Sequence, residues 1–368
     1  MRDSRDSGET PGTVRAERDA HPDKPDRPGD RPAAWREGWR DGADSLYTDR
    51  PRPAVRDTYR TLTYEVDGRI ARITFNRPER GNAITPDTPL DLAAAVERAD
   101  LDPAVHVIVV SGRGKGFCGG YDLDLFAEHA DRPAGGPSPA GTVLDPVVQA
   151  RNHDPARQWD PMADFAMMSR FNKGFAALLH ADKPTVAKLH GFCVAGGTDI
   201  ALYCDLIVAA DDTKIGYPPT RVWGVPAAGM WAHRIGDQRA KRLLLTGDCI
   251  SGAQAAEWGL AVESAPAEEL DAVTERLLDK IAMMPVNQLM MVKLALNSAL
   301  LAQGVQNSAT ISTVFDGISR HTREGYAFQE RAMTAGFREA VRERDEAFRD
   351  HRRTQFESGG GTAEEAAP

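Results

Sequence analysis

The stretch Cys193-Val194-Ala195-Gly196-Gly197-Thr198-Asp199 constrains this chain more than any other. It follows the apolar run 184–189 and leads into Ile200-Ala201-Leu202-Tyr203, which reads as a strand, a paired-glycine turn and a helix start. Such a junction leaves backbone N–H groups without an intrahelical partner, and the helix dipole adds positive potential beside them. It is a place to hold an oxyanion. Asp199 falls in the first helical turn, where a carboxylate can work on a substrate whose carbonyl those N–H groups polarise. The competing reading is that Asp199 only stabilises the helix dipole.

A second junction of the same kind lies upstream. The apolar run 107–110 reads as a buried strand and is followed by Gly112-Arg113-Gly114-Lys115-Gly116-Phe117-Cys118-Gly119-Gly120-Tyr121-Asp122-Leu123. Two strand-to-glycine turns can aim two backbone donors at one oxygen, which is what an oxyanion hole needs. Residues 114–119 formally satisfy G-x-G-x-x-G, but a dinucleotide site also wants a long helix next and an acidic residue about 20 positions on. Here that place holds Arg132-Pro133-Ala134-Gly135-Gly136-Pro137, and no Gly-Lys-Ser/Thr ends the run, so neither a dinucleotide fold nor a Walker loop is expected. Asp122 reads as an N-cap for a short helix over 123–127.

The remaining pattern is that of an α/β chain. A hairpin is expected over 61–75 with an Asp67-Gly68 turn, then a helix over 86–99 and strands at 107–110, 184–189 and near 206. A helix over 163–181 carries Phe165, Met168, Phe171, Phe175 and Leu178 on one face, closing a pocket or packing the core. Further helices are expected over 238–245, 252–258, 268–283, 286–301 and 325–344, with Met290-Met291 packed in the core. Residues 1–57 hold too little periodic apolar character to offset ordering entropy and are expected to be disordered apart from a short helix around 35–39. Trp35 and Trp39 there suggest docking on a neighbour, with chance exposure as the alternative.

Charge and cysteine usage narrow the class. A formal net charge of −9 argues against non-specific nucleic-acid binding. Cys118, Cys193, Cys204 and Cys249 lack paired close spacing and read as buried, reduced thiols in a cytoplasmic protein. No apolar run reaches the roughly 20 residues of a membrane span, and the N-terminus is too charged for a secretory signal. None of the nine histidines pairs at metal-ligand spacing, so no metal site is expected.

From about residue 62 to about 344 the chain resembles the crotonase superfamily, the enoyl-CoA hydratase/isomerase family. The motifs are Asn76-Arg77-Pro78 with Asn82-Ala83, then Gly116 to Leu123, then His190-Gly191 with Ala195-Gly196-Gly197. They continue with Cys204-Asp205-Leu206-Ile207-Val208-Ala209-Ala210 and with Thr246-Gly247-Asp248 ahead of Ala255 and Gly259-Leu260, in the family's order. The resemblance implies a spiral of ββα repeats over 58–265 with an insertion near 128–161, a helical trimerisation region over 266–353 and a flexible tail over 354–368. The insertion is either a lid over the acyl pocket or a solvated loop.

It further implies that the N–H groups of Tyr121 and Gly196 grip the thioester carbonyl of an acyl-CoA, and that Arg80, Ala83, Cys118, Gly119 and Asp122 border the CoA site. Coenzyme A thioester enters as substrate, with no permanently bound cofactor, and a homotrimer or hexamer is implied. Hydratases of the family carry two glutamates. The first position falls on Asp199 and the second on Pro219, which cannot move a proton. Asp199 is therefore expected to be the main acid/base group, with Tyr217 and Arg221 as assistants. Enoyl-CoA hydration is the leading expectation. Isomerisation, thioester hydrolysis, decarboxylation or acyl-CoA binding without turnover are the alternatives.

Overall fold

The computed structural model describes residues 58–128 and 140–348. The segments expected to be disordered or loose at 1–57 and 354–368, and much of the Pro/Gly-rich stretch 132–146, lie outside the described residues.

The Asp67-Gly68 turn closes the hairpin of β1 (Leu62–Asp67) and β2 (Ile70–Phe75), antiparallel with Leu62 opposite Phe75. Gly68 takes a φ of 59°, a left-handed conformation that glycine adopts without a Cβ penalty. The chain then crosses over through α1 (Thr88–Asp100) to β3 (Val107–Gly112), parallel to β2. The next crossover carries α2 (Pro146–Asn152) and α3 (Pro161–His180) and returns to β4 (Thr185–Leu189), parallel to β3. After β5 (Phe192–Val194) and α4 (Gly196–Ala201), β6 (Leu206–Ala210) pairs with β4. Next come β7 (Lys214–Gly216), α5 (Ala228–Thr246), β8 (Cys249–Ile250), α6 (Gly252–Trp258) and β9 (Glu263–Ala265). The result is a six-stranded sheet in the order β1-β2-β3-β4-β6-β9 and a three-stranded sheet β5-β7-β8.

Val107-Ile108-Val109-Val110 is apolar throughout because both faces of the larger sheet are covered. Ile108 and Val110 join the main core with Phe171 and Phe175 of α3, whereas Val107 and Val109 pack toward Val273 and Leu278 of α7 (Leu270–Ala282). The C-terminal part continues with α8 (Val286–Ala302), α9 (Val305–Arg320), α10 (Arg323–Ala335) and α11 (Phe337–Glu346).

Several expectations are corrected here. The single helix over 325–344 is two, because Gly336 (φ 88°, ψ 147°) leaves helical space. The helix over 238–245 starts at residue 228 and is interrupted at Gly236 (φ 77°, ψ 161°). The short helix over 123–127 is a π turn at Asp124–Glu128. Met291 is not core: it is 58% exposed and Leu294 is 54% exposed. What α8 buries instead is Lys293, whose Nζ lies 2.8 Å from the Asp205 carboxylate and donates to the carbonyls of Leu178 and Lys183. Helix α9 is absent from the sequence expectation altogether. Its Ser, Thr, Asn and β-branched residues are weak helix formers, and packing against α3 and α5 overrides that preference.

Among the described residues no helix is long and apolar enough to cross a membrane, and no group of three or more His, Cys, Asp or Glu is placed to hold a metal ion.

Candidate active site

The two glycine turns meet. Cys118 and Cys193 form an isolated parallel bridge, with Cys118 N–H donating to the Phe192 carbonyl (3.2 Å) and Val194 N–H to the Cys118 carbonyl (3.1 Å). A Cβ on Gly120, which has φ 94°, would lie 2.7 Å from the Ala195 Cβ and 3.4 Å from the Gly196 nitrogen. Only glycine allows the turns to approach this closely. All four cysteines are buried, and burial pushes the Cys118 thiol up to about 12, so Cys118 serves as packing between the turns.

Around Tyr121 the neighbouring backbone groups are committed. Ile84 N–H donates to the Gly120 carbonyl (2.8 Å) and Asp122 N–H to the Ile84 carbonyl (3.0 Å). Among the described residues, neither the Tyr121 N–H nor the Gly196 N–H has a protein acceptor. Gly196 opens α4, where such donors are expected. Ala195 before it is held at φ 53°, ψ −131°, a conformation that costs an alanine of order 1–3 kcal/mol. Three bonds fix it: Ala195 N–H to the Gly216 carbonyl (3.0 Å), and Thr198 N–H (2.9 Å) and Oγ1 (2.7 Å) to the Ala195 carbonyl.

These turns border a cavity of about 280 Å³. Tyr121, Phe126, Met168 and Phe171 form one wall, with the Tyr121 and Phe171 rings edge-on at 5.3 Å. Tyr217, Pro218, Pro219, Trp223 and Gly224 form another, and Val341, Arg344 and Asp345 of α11 reach in from the C-terminal end. The Tyr121 hydroxyl and Trp223 Nε1 are buried without a hydrogen-bond partner among the described residues.

Asp199 is 4% exposed and accepts a hydrogen bond from Ala227 N–H at 3.1 Å. Its neighbours Val194 and Ala195 line the cavity, and Asp199 follows them one turn into α4. Burial, reinforced by the nearby Asp316 charge, raises its carboxyl to about 7. The pocket itself is faced by Asp316 of α9, which is 7% exposed and accepts from Val225 N–H at 3.1 Å. Burial raises the Asp316 carboxyl, opposed chiefly by Arg320, whose Nη2 lies 3.7 Å away. The sequence reading missed Asp316 because α9 is inverted: Ile311, Val314, Phe315 and Ile318 face outward while Ser312, Thr313, Asp316 and Gly317 are buried. A run of small polar residues opposite an apolar stripe is the signal, and it normally marks the solvated side.

Of the expected assistants, Tyr217 is in the cavity wall, its hydroxyl pushed well up by burial. Arg221 is not brought to the site. Its Nε donates to the Thr246 carbonyl (3.0 Å), Nη1 to Asp345 (3.1 Å), Nη2 lies 3.6 Å from Asp248, and the guanidinium stacks on Phe348 at 4.0 Å. Arg221→Leu leaves these buried carboxylates short of a partner, and thermal unfolding should report a loss of about 3–5 kcal/mol.

Asp122 does not cap a helix with its side chain. Its carboxylate bridges Arg77 and Arg80 at 3.0 Å each, while its backbone carbonyl accepts from Leu125 and Phe126. Arg80 is shared further with Asp124, so two carboxylates already compete for the charge expected to meet CoA phosphates. Ala83 offers its carbonyl to Arg77 (2.6 Å), and Gly119, on the cavity surface, donates to the Gly81 carbonyl. The Asn76 to Asn82 motif thus braces the first glycine turn, with the Asn82 amide donating to the carbonyls of Arg113 and Gly116 at 2.9 Å.

The family model described as Enoyl-CoA hydratase/isomerase matches residues 65–144 and 158–337. The chain belongs to this family. The matched segments hold both glycine turns, Asp199, the loop with Pro219, and α9, while the unmatched residues 145–157 carry α2. A crystal structure of an enoyl-CoA hydratase from Mycobacterium smegmatis is 65% identical to this family member, with a TM-score of 0.75 over 81% of this chain and 98% of that one. An enoyl-CoA hydratase/isomerase from Xanthobacter autotrophicus Py2 is 28% identical with a TM-score of 0.65, covering 79% of this chain and 99% of that one. A Pseudomonas fluorescens relative, hydroxycinnamoyl-CoA hydratase-lyase, is 29% identical over 60% of this chain and 71% of its own length.

Proposed function

We propose that this protein is an enoyl-CoA hydratase that adds water across an α,β-unsaturated thioester. The observation that carries the reading is the pair of unaccepted N–H groups, Tyr121 and Gly196, at touching turns beside a buried aromatic cavity. The thioester carbonyl accepts from both donors, and the charge that develops on its oxygen as water adds at Cβ is stabilised there. Each donor in such a hole contributes roughly 100- to 1,000-fold in rate. Asp199, one turn into the helix that Gly196 opens, has a carboxyl near 7 and serves as proton carrier to Cα. Arg80, beside Gly81 and Asp122, borders the CoA path, and Tyr217 shapes the acyl end.

The ββα repeats of 58–265 form a spiral, and the helices of 266–353 assemble the chain into a homotrimer or hexamer. The apolar outward faces of α8 and α9, with Met291, Leu294, Ile311 and Phe315 exposed, support an interface of that kind. Buried cysteines such as Cys118, Cys193 and Cys204, outside any disulfide, fit a cytoplasmic, reducing location. CoA thioester is substrate, with no permanently bound cofactor.

Incubation with short, medium and bulky enoyl-CoA thioesters, followed by mass, tests the reading. Gain of one water is expected. Free CoA, loss of carbon dioxide or an isobaric shift would replace hydration by hydrolysis, decarboxylation or isomerisation.

A further inference from the structure

We infer that Asp316, on α9, is the second catalytic carboxylate of this site, standing in for the acid absent at Pro219. The inference rests on the hydration reading above. Asp316 and Pro219 line the same cavity, and Tyr217 and Gly224 lie in that wall with them. A carboxylate on α9 therefore reaches the space that the loop bounds without offering a proton acceptor.

The groups facing Asp316 assign the roles of the two acids. Arg320, one turn along α9, and the N–H of Val225, in the loop before α5, both favour its ionised form. Asp164 of α3 acts in the opposite direction but is itself engaged by Arg320 at 3.1 Å and His321 at 2.9 Å. Among the described residues Asp199 has no cation beside it, only the Ala227 N–H, and it meets the Asp316 charge as repulsion. Tyr121 and Tyr217 stay protonated between them, their hydroxyls pushed up by burial. Two coupled carboxyls in unequal surroundings divide into a base and an acid. Asp316 is the base and Asp199 the acid.

In the reaction, a water oxygen bonds to Cβ as its proton passes to the Asp316 carboxylate. The π electrons of the Cα–Cβ bond shift to the thioester, leaving an enolate whose oxygen is held by the Tyr121 and Gly196 N–H groups. The enolate Cα then takes the proton of the Asp199 carboxyl. Asp316 releases its proton to solvent and Asp199 recovers one, so the net change is addition of one water with no oxidant or reductant.

The test is Asp316→Asn, which keeps an acceptor for Val225 N–H. The variant should lose at least about 100-fold in kcat, bind a saturated acyl-CoA within about threefold of wild type, and lose the low-pH limb of the kcat profile. Should it fail to fold, Asp316→Glu, which keeps the charge but moves it by one methylene, should lower kcat at least about tenfold with KM little changed. Hydration by either folded variant within about threefold of wild type, with an unaltered pH profile, overturns the role of Asp316 and leaves the hydratase reading standing. A wild-type protein that hydrates no enoyl-CoA overturns both.

Discussion

Replacing Asp199 by Asn should abolish turnover and make the fold more stable above neutral pH. The carboxyl is buried and, among the described residues, accepts a hydrogen bond from Ala227 N–H alone, so burial and the Asp316 charge raise it from the usual carboxylate range to about 7. A raised acid binds its proton more tightly in the folded chain than in the unfolded one. Stability therefore falls as pH climbs from about 4 to about 7 and levels off above. At one pKa unit per about 1.4 kcal/mol, the cost at pH 8 is of order 4 kcal/mol at most. Asn keeps the acceptor for Ala227 and removes the charge. Its Tm should match wild type near pH 4 and exceed it by several degrees at pH 8. Equal Tm differences at both pH values would contradict the buried, raised carboxyl.

Gly196→Ala should cost about 100- to 1,000-fold in kcat. A Cβ there would stand 2.7 Å from Ile84 Cδ1 and 2.8 Å from Tyr121 Cε2. The helix start must move, and Tyr121, whose N–H is the other donor, is one of the groups it pushes. Overpacking of this kind destabilises by about 1–3 kcal/mol, so the kinetic loss has to be separated from a folding loss. Gly259→Ala is the control: Gly259 caps α6 at φ 81° with nothing within 4 Å of the added atom. It should lose about 1 kcal/mol of stability while turnover stays at the wild-type level. If the two variants lose activity alike, the effect at Gly196 is one of stability and not of the hole.

The glycine turns were legible in the sequence because local chemistry dictates them. Gly120 and Gly197 have to lack a Cβ for the two turns to touch, since the added atoms would meet the Ala195 Cβ and the Cys118 carbonyl, and the strand runs on either side are apolar because the larger sheet is covered on both faces. Arg80 and Asp122 were found as a neighbourhood but not as an ion pair, since the contact spans 42 residues. Arg221 looked available because its loop is polar. Its partners Asp248 and Asp345 arrive from distant parts of the chain and engage its guanidinium in buried ion pairs. Asp316 was hidden for a different reason. Its helix turns the apolar residues Val314 and Phe315 outward and its small polar residues inward, the reverse of the pattern by which a buried face is read from sequence.

Hydration in heavy-oxygen water, run on wild type and on Asp199→Asn side by side, tests the central claim most directly. The account predicts that the wild-type product keeps its thioester and gains one water, with the label on the acyl chain, and that the variant gives none. Label recovered in a free carboxylic acid, or equal product from the variant, would contradict it.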